Sequence, residues 1–307
     1  MQTNYLQTLT TRLAASLTKM PADFLARHRD YLLSVQNSDG GWSGREGGSD
    51  LYYTAFALRG LAVLGTLAEP TIERAAAFLR SRLLLPASVV DFMSLLYAAR
   101  LIQSSGGPDV LSKHGSDWPA GVAAAMESFR KPDGGYAKAT AGTAGSTYHT
   151  FLVALCYELI GVPLPDSSQV VNFIRSRRRD DGGFVEVAPA RRGGTNPTAA
   201  AAAVLLILNA LDDATRSAVV SFLSGMQSPK GGLRANDRAP MADLLSTFTG
   251  LLTLCDLGAH VGIDSNSFRQ FAASVESETG GFRGGAWDQA TDVEYTFYGL
   301  GTVALVH

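Results

Sequence analysis

Asp39-Gly40-Gly41-Trp42 is the first of five glycine marks, short segments in which two glycines precede a large apolar residue. The first glycines of successive marks are 94, 48, 49 and 49 residues apart. A repeat of this size predicts stacked supersecondary units that can bury their apolar faces only against each other. The other four marks are Asp133-Gly134-Gly135-Tyr136, Asp181-Gly182-Gly183-Phe184, Lys230-Gly231-Gly232-Leu233 and Thr279-Gly280-Gly281-Phe282.

The first interval is about twice as long as the others, which predicts one unit without glycines around residues 87–92. Six units of similar length then fill the chain from about residue 20 to its end. Because one repeat runs through this whole length, we expect a single domain, residues 1–307.

Each unit has the pattern of a helix pair, since apolar residues recur at helical spacing and breakers fall twice per unit. The helix before each mark has one charged face and is expected outside, whereas the helix after it is apolar nearly all round and is expected inside. The sequence therefore predicts an all-α (α/α)6 barrel, a toroid of six helix-pair repeats, with an open superhelix as the alternative and no sheet. The predicted outer helices are residues 21–36, 71–84, 118–130, 167–179, 213–227 and 267–276, and the inner ones 50–64, 88–102, 146–160, 198–211, 243–257 and 292–306.

Composition excludes several classes of protein. A net charge of −2 gives no bulk attraction to nucleic acid. Cys156 and Cys255 lie in apolar segments, so neither a disulfide framework nor a cysteine-rich zinc site is expected. The longest strongly apolar run, residues 199–208, is about half a membrane span, and residues 1–6 lack the basic start of a secretory signal. We expect a cytoplasmic protein without a membrane span.

This repeat resembles the superfamily of protein prenyltransferase β subunits and squalene or terpene cyclases, over nearly the whole chain. Residues 36–42 fit the Gln-x-x-x-Gly-x-Trp signature of squalene cyclases, whereas the Tyr, Phe and Leu of the other marks look more like prenyltransferase β subunits. Such repeats specify the architecture closely and the reaction much less.

The resemblance to cyclases implies an Asp-x-Asp-Asp cluster that protonates the substrate, and this chain has none. The pairs Asp180-Asp181 and Asp212-Asp213 fall at a glycine turn and at the start of an outer helix. Cyclisation is therefore disfavoured, and a divergent terpene cyclase that uses Asp243 and Asp292 is kept as an alternative.

The resemblance to prenyltransferase β subunits implies one zinc ion, held by an Asp-x-Cys pair in the fifth unit and a His in the sixth. Asp243 matches the aspartate, but Leu245 stands at the cysteine position and Tyr295 at the histidine position. We expect no zinc, because neither replacement is a good zinc ligand. Glu294 or Asp292 beside Asp243 would form an all-oxygen site better suited to magnesium. Asp243, Asp292 and Tyr295 are the predicted catalytic residues, with helix capping as the alternative role of the two aspartates.

The same resemblance implies an isoprenoid diphosphate as ligand, with Arg234 and Arg238 binding its diphosphate. From the residues alone, the loops that enter the inner helices gather arginines at one end of the ring, where guanidinium groups suit phosphate oxygens. Ordinary solvated and paired loop charge is the alternative. Aromatic residues in the first turns of the inner helices would line an apolar pocket. The predicted substrate-binding residues beside the two arginines are Tyr52, Tyr148, Tyr298 and His149, the last also expected as a buried, hydrogen-bonded histidine.

The sequence thus predicts a prenyltransferase β-subunit-like protein that binds an isoprenoid diphosphate in a central apolar cavity, with prenyl transfer lacking the usual zinc site. A non-catalytic lipid- or peptide-binding module and a divergent terpene cyclase are the alternatives, so enzymatic activity is left open. A peptide or an α-type partner subunit is the expected macromolecular partner.

Overall fold

The computed structural model describes residues 4–83, 87–112, 117–259 and 263–307. Within these ranges the chain forms thirteen α-helices and four two-residue β-strands. The helices are α1 (Tyr5–Leu17), α2 (Ala22–Ser34), α3 (Leu51–Val63), α4 (Thr71–Arg82), α5 (Val89–Ser104), α6 (Trp118–Ser128), α7 (Thr147–Ile160), α8 (Ser167–Ser176), α9 (Thr195–Ile207), α10 (Asp213–Gly225), α11 (Leu244–Asp256), α12 (Ser265–Val275) and α13 (Val293–Leu305). The strands are β1 (Leu233–Arg234), β2 (Ala242–Asp243), β3 (Phe282–Arg283) and β4 (Thr291–Asp292).

Six inner helices form a closed ring. In the order α3, α5, α7, α9, α11 and α13, each contacts the next, and α13 contacts α3. The outer helices α2, α4, α6, α8, α10 and α12 each pack on the inner helix of their own unit. The predicted all-α (α/α)6 barrel is therefore confirmed, and the contact between α13 and α3 is the one that an open superhelix would lack.

The predicted helices match the observed ones to within three residues at each end, except that α9 ends at Ile207 rather than at residue 211. Helix α9 begins at Thr195 rather than at residue 198, because Gly194 is its N-cap and Pro197 is tolerated in a first turn. The unit without glycines is the pair α4 and α5, and Ser88 caps α5 with a capping box that includes Asp91. Residue 84, the predicted end of an outer helix, lies outside the described residues, as do residues 1–3.

The glycine marks join each unit to the next. The first glycine of every mark has positive φ, which is cheap only for glycine, and a Cβ there would meet a backbone carbonyl of the following outer helix. For Gly40 that carbonyl is Arg74 O on α4, and for Gly280 it is Arg27 O on α2, which carries the pattern across the ring closure. The apolar residue of each mark is buried, as in Trp42 and Phe282.

The short strands connect each mark to the N-cap of its inner helix. Leu233 pairs with Asp243 and Phe282 with Asp292 in two antiparallel ladders, and the other marks form single bridges of the same kind. The sequence analysis expected no sheet, and these ladders were missed because two-residue strands have no periodicity to detect.

Helix α1 lies across one end of the ring and was not predicted. It contacts α3, α7 and α13. The Tyr5 hydroxyl donates to Asp256 Oδ2 at 2.8 Å, and Arg12 Nη1 donates to Asp256 Oδ1 at 2.8 Å. The Tyr5 amide donates to Glu158 Oε2 at 3.2 Å. Since Glu158 and Asp256 lie near the C-terminal ends of α7 and α11, α1 closes that end of the barrel. None of the helices in the described ranges has the length and apolarity needed to cross a membrane.

The first and sixth units are joined by an ion-pair cluster. Arg45 Nη2 lies 2.5 Å from Asp288 Oδ2, and Arg45 Nε lies 3.0 Å from Asp292 Oδ2. Burial raises the pKa of Asp288, but hydrogen bonds from Arg45 and from the backbone outweigh it and lower the pKa to about 2. The buried His28 also bridges the closure, accepting from the Gly281 amide and stacking on Phe282.

Candidate functional site

A central cavity of about 440 Å³ lies inside the ring of inner helices. Tyr5, Leu6 and Leu9 of α1 form its floor. Tyr148, which is 38% exposed, and Glu186 line the opposite end, at the N-terminal ends of the inner helices. The cavity falls within the range of roughly 300–1,000 Å³ that is typical of small-molecule sites.

The two sides of the cavity differ in the size of their side chains. Aromatic rings of α3, α11 and α13 form one wall, with Phe56 5.2 Å from Tyr298 and Phe248 5.4 Å from Tyr298 between ring centroids. Helix α9, which lies opposite α3 in the ring of six, contributes the small side chains of Ala199, Ala200 and Ala203. These small residues leave apolar space across the ring between α3 and α9, which suits an apolar chain.

Glu294 is a carboxyl group in the aromatic wall. The Tyr52 hydroxyl donates to Glu294 Oε1 at 2.7 Å. Burial raises the pKa of Glu294, and the Asp292 charge adds to this, while the Tyr52 hydrogen bond opposes it. A carboxyl group with a raised pKa in an apolar site can serve as a proton donor.

Two further charged groups line the cavity. Glu186 accepts hydrogen bonds from the Ser146 hydroxyl and from the Tyr148 amide, so it is held against the start of α7. Arg59, near the middle of α3, contributes a guanidinium group that lies over the rings of Phe56 and Phe297. The sequence analysis named neither Glu186 nor Arg59 as a site residue.

The three tyrosines predicted to bind substrate, Tyr52, Tyr148 and Tyr298, all line the cavity. Burial raises the pKa of each phenol, in Tyr148 to about 12. Their hydroxyl groups are therefore neutral hydrogen-bond donors over the physiological pH range.

The predicted catalytic aspartates cap helices and do not line the cavity. Asp243 Oδ1 accepts from the Ser246 amide at 2.7 Å, and Asp292 Oδ1 accepts from the Tyr295 amide at 2.8 Å. Burial raises the pKa of both carboxyl groups. Tyr295 lies beside them with the Arg45 guanidinium over its ring at 5.6 Å, outside the cavity lining. This geometry favours the capping role, and a catalytic role for these residues stays a prediction.

Arg234, Arg238 and His149 also lie outside the cavity lining. Arg234 donates to the carbonyl oxygens of Gly225 and Met226, where α10 ends and its last carbonyls lack helical partners. Arg238 is exposed in the loop between β1 and β2. His149 is half-buried and its Nδ1 lies 2.7 Å from the Ser146 hydroxyl, within hydrogen-bonding distance. The predicted diphosphate site is therefore not brought together with the apolar cavity.

The predicted metal-binding positions are not assembled as a ligand set. Across the described parts of the chain, no group of three or more His, Cys, Asp or Glu side chains is arranged to hold a metal ion. Leu245, at the position of the family's cysteine, lines the cavity with its apolar side chain. The absence of zinc and the alternative of magnesium both stay predictions.

Solved structures with the same fold belong to enzymes that are named for different reactions. Protein geranylgeranyltransferase-I of Candida albicans, complexed with GGPP, has a TM-score of 0.71 at 12% identity, covering 99% of this chain and 92% of that one. A variant of the type II terpene cyclase MstE from Scytonema, in complex with geranylgeranyl dihydroxybenzoate, has a TM-score of 0.62 at 14% identity, covering 98% of each chain. An inactive variant of an α-1,6-mannanase of Salegentibacter has a TM-score of 0.61 at 11% identity, covering 97% of this chain and 98% of that one. At these identities the likeness shows the fold alone.

The family of the chain is shown by its sequence. No curated protein is significantly similar to it. The profile of the prenyltransferase alpha-alpha toroid domain matches residues 13–90 and 104–307, which together make up most of the chain. The chain therefore belongs to the prenyltransferase alpha-alpha toroid domain family.

Proposed function

We propose that this protein binds an isoprenoid chain with an anionic head, an isoprenoid diphosphate in the first place, in the central cavity. The observation that carries the proposal is the apolar space between an aromatic wall and an alanine wall, closed at one end by α1. An isoprenoid chain buries its whole length in such a space, and burial of apolar surface is the main driving force for binding.

Two proteins of the same fold support this choice of ligand. One is in complex with GGPP and the other with geranylgeranyl dihydroxybenzoate. Both ligands combine a geranylgeranyl chain with an acidic head. We propose a ligand with the same two parts for this chain, because its cavity is largely apolar and has charged groups in its lining.

Calorimetric titration with geranyl, farnesyl and geranylgeranyl diphosphate tests the proposal, with inorganic diphosphate as the control for the head alone. We expect the prenyl diphosphates to bind and inorganic diphosphate not to bind. If none of the three prenyl diphosphates binds, the proposal is wrong.

Two alanine variants of α9 locate the binding site. Ala200 lines the cavity, so Ala200→Phe should fill it and abolish binding with little change in melting temperature. Ala201 is fully buried in the core and does not line the cavity, so Ala201→Phe should cost about 1–3 kcal/mol through overpacking. Ligand binding that survives Ala200→Phe would place the ligand elsewhere.

Prenyl transfer is the reaction we propose for a bound allylic diphosphate. The C–O bond breaks, inorganic diphosphate leaves with the electron pair, and an acceptor nucleophile bonds to the prenyl carbon as it loses its proton. Among the described residues that line the cavity, Arg59 is the cation that would stabilise the charge of the leaving group. A peptide acceptor, an α-type partner subunit and a cytoplasmic location belong to this proposal and are tested by co-purification of bound proteins and by cell fractionation.

Proton-initiated cyclisation is a second candidate, favoured by Glu294. Its buried carboxyl group would give its proton to a terminal alkene carbon, and the alkene electron pair would form the new C–H bond. The resulting carbocation would be attacked by the next double bond, and a final loss of a proton to the carboxylate would restore the acid. The faces of Phe56 and Tyr298 are suited to stabilise such a cation.

Incubation with geranylgeranyl diphosphate, with and without a peptide acceptor, distinguishes the two reactions. Transfer releases inorganic diphosphate, whereas cyclisation leaves the diphosphate on a cyclic product that mass spectrometry and chromatography identify. Glu294→Gln should abolish cyclisation, and Glu186→Gln, at the other carboxylate of the cavity, should not. The rate of cyclisation should fall as the pH rises through the raised pKa of Glu294.

A further inference from the structure

Arg59 is a cation in the wall of an otherwise largely apolar cavity. It lies in the interior of α3, where it is the one charged residue of the helix. Its guanidinium carbon lies 3.9 Å from the ring centroid of Phe297, 4.7 Å from that of Phe56 and 5.4 Å from that of Tyr97. The aromatic rings therefore cover the faces of the guanidinium group.

No acidic partner neutralises this cation within the described residues. Arg59 forms no ion pair there, and its buried Nε has no hydrogen-bond partner. Glu294, the acidic residue of the same wall, accepts from the Tyr52 hydroxyl and forms no ion pair with Arg59, although the Arg59 charge is near enough to oppose the rise in the pKa of Glu294. The loop arginine Arg45, by contrast, pairs with Asp288 and Asp292.

Apart from a hydrogen bond toward the Tyr97 hydroxyl, the stacking leaves the N–H donors of Arg59 available to a ligand. Guanidinium N–H groups point outward in the plane of the group, so rings on its faces do not use them. Arg59 is partly buried, and a partly buried cation without an ion-pair partner is destabilised, a cost that stacking on aromatic rings offsets only in part. An anion with two oxygens would meet the N–H edge with charge-assisted hydrogen bonds.

We propose that Arg59 anchors the anionic group of the bound ligand inside the cavity, through a carboxylate or a phosphate on an apolar chain. The chain then extends across the ring toward Ala199, Ala200 and Ala203 of α9. This inference deepens the proposed function and rests on it for the isoprenoid nature of the tail. It places the anionic head of the ligand at Arg59 instead of at Arg234 and Arg238. It also places the head away from the outer loops, where Arg234 and Arg192 already have protein partners.

Ligands with one tail and different heads test the anchor in the wild-type protein. Calorimetry with farnesol, farnesoic acid and farnesyl diphosphate compares a neutral head, a carboxylate and a diphosphate. Dodecanol and dodecanoic acid repeat the comparison with a tail that is not an isoprenoid. We expect each anionic ligand to bind at least about tenfold more tightly than its alcohol, as for a hydrogen bond to a charged group. Equal binding of acid and alcohol would overturn the inference without any variant.

Two substitutions assign the preference to Arg59. Arg59→Gln should remove the preference for the acids and leave the alcohols unchanged, and Arg59→Lys should keep part of it, because it retains the charge but not the planar fork. Arg82→Gln is the matched control, since Arg82 also stacks on a ring, that of Phe78, and also has an unpartnered Nε, but lies outside the cavity lining. Circular dichroism and melting temperature check that each variant is folded.

The outcomes separate this inference from the proposed function. A preference for acids that persists in Arg59→Gln overturns the anchor while leaving isoprenoid binding intact. Arg59-dependent binding of dodecanoic acid without binding of any isoprenoid supports the anchor and overturns the proposed function. If neither kind of acid binds, both are wrong.

Discussion

Buried threonines in the inner helices fix the position of the glycine marks. In five units the amide of the apolar residue in the mark donates to a threonine hydroxyl in the first turns of the inner helix, at 2.8–3.2 Å. Each hydroxyl accepts the hydrogen bond of a buried backbone amide in the mark, which would otherwise lack a partner because the mark is neither helix nor extended sheet. The threonines are Thr54, Thr150, Thr198, Thr247 and Thr296, and all are fully buried.

Thr296→Val tests this arrangement against a matched control. The variant leaves the Phe282 amide unsatisfied and should cost about 1–3 kcal/mol in the free energy of unfolding. Thr302→Val should cost within about 1 kcal/mol, because Thr302 is equally buried but its hydroxyl only donates to the Tyr298 carbonyl. Urea unfolding measures both, and equal losses would contradict the role assigned to Thr296.

The sequence predicted single residues well where a backbone conformation demanded them. Only glycine takes a positive φ at low cost, so the marks could be located without a structure. The threonine hydrogen bonds could not, because a threonine in an apolar helix has no distinctive pattern. Arg59 did leave a signal, since it is the lone charged residue of the apolar segment 51–64. Its meaning depends on the cavity, which no local pattern describes.

At the scale of the elements, α1 is the part that the repeat pattern concealed. Leu6, Leu9, Leu13 and Leu17 are buried and form one face of this helix. That spacing predicts an amphipathic helix, but the helix lies outside the six repeats. Its place beneath the ring depends on contacts with Glu158 and Asp256, more than a hundred residues away. Repeat analysis therefore predicted the barrel wall and missed its floor.

The floor should limit the longest chain that the cavity accepts if the proposed function holds, because a geranylgeranyl chain needs most of the cavity volume whichever way its head points. Leu9 lines the cavity, so Leu9→Trp would extend the floor upward and shorten the space. We expect roughly tenfold weaker binding of geranylgeranyl diphosphate and little change for geranyl diphosphate, measured by calorimetry. Leu9→Met conserves volume and serves as the control. Uniform weakening of both ligands in Leu9→Trp would argue against a floor that measures length.

At the scale of the whole molecule, several loop arginines have partners on the protein, either in a neighbouring unit or in the outer helix of their own unit. The rim of arginines was predicted to hold phosphate, with ordinary paired charge as the alternative. Arg45 pairs with Asp288, and Arg192 pairs with Asp237 of the next unit. Arg283 donates to the Ser274 carbonyl near the end of α12. The partner of a loop arginine depends on how the ring brings the loops together. The sequence could therefore suggest both phosphate binding and pairing within the protein, but could not decide between them.

The Arg45 and Asp288 pair closes the ring and should make stability depend on acid pH. The pKa of Asp288 is lowered to about 2, so its contribution is fully present above the ordinary carboxyl pKa and is lost as the pH falls through its own. Because the Arg45 side chain is 38% exposed, we expect a contribution of about 1–2 kcal/mol rather than the full value of the shift. Asp288→Asn should therefore be less stable than the wild type at neutral pH by this amount, and the difference should shrink between about pH 4 and pH 2. Urea unfolding over this range measures this difference.

Asp237→Asn removes a more exposed pair between neighbouring units and should change stability by less than about 0.5 kcal/mol. A difference for Asp288→Asn that stays constant with pH would mean that the pair does not hold the ring closed.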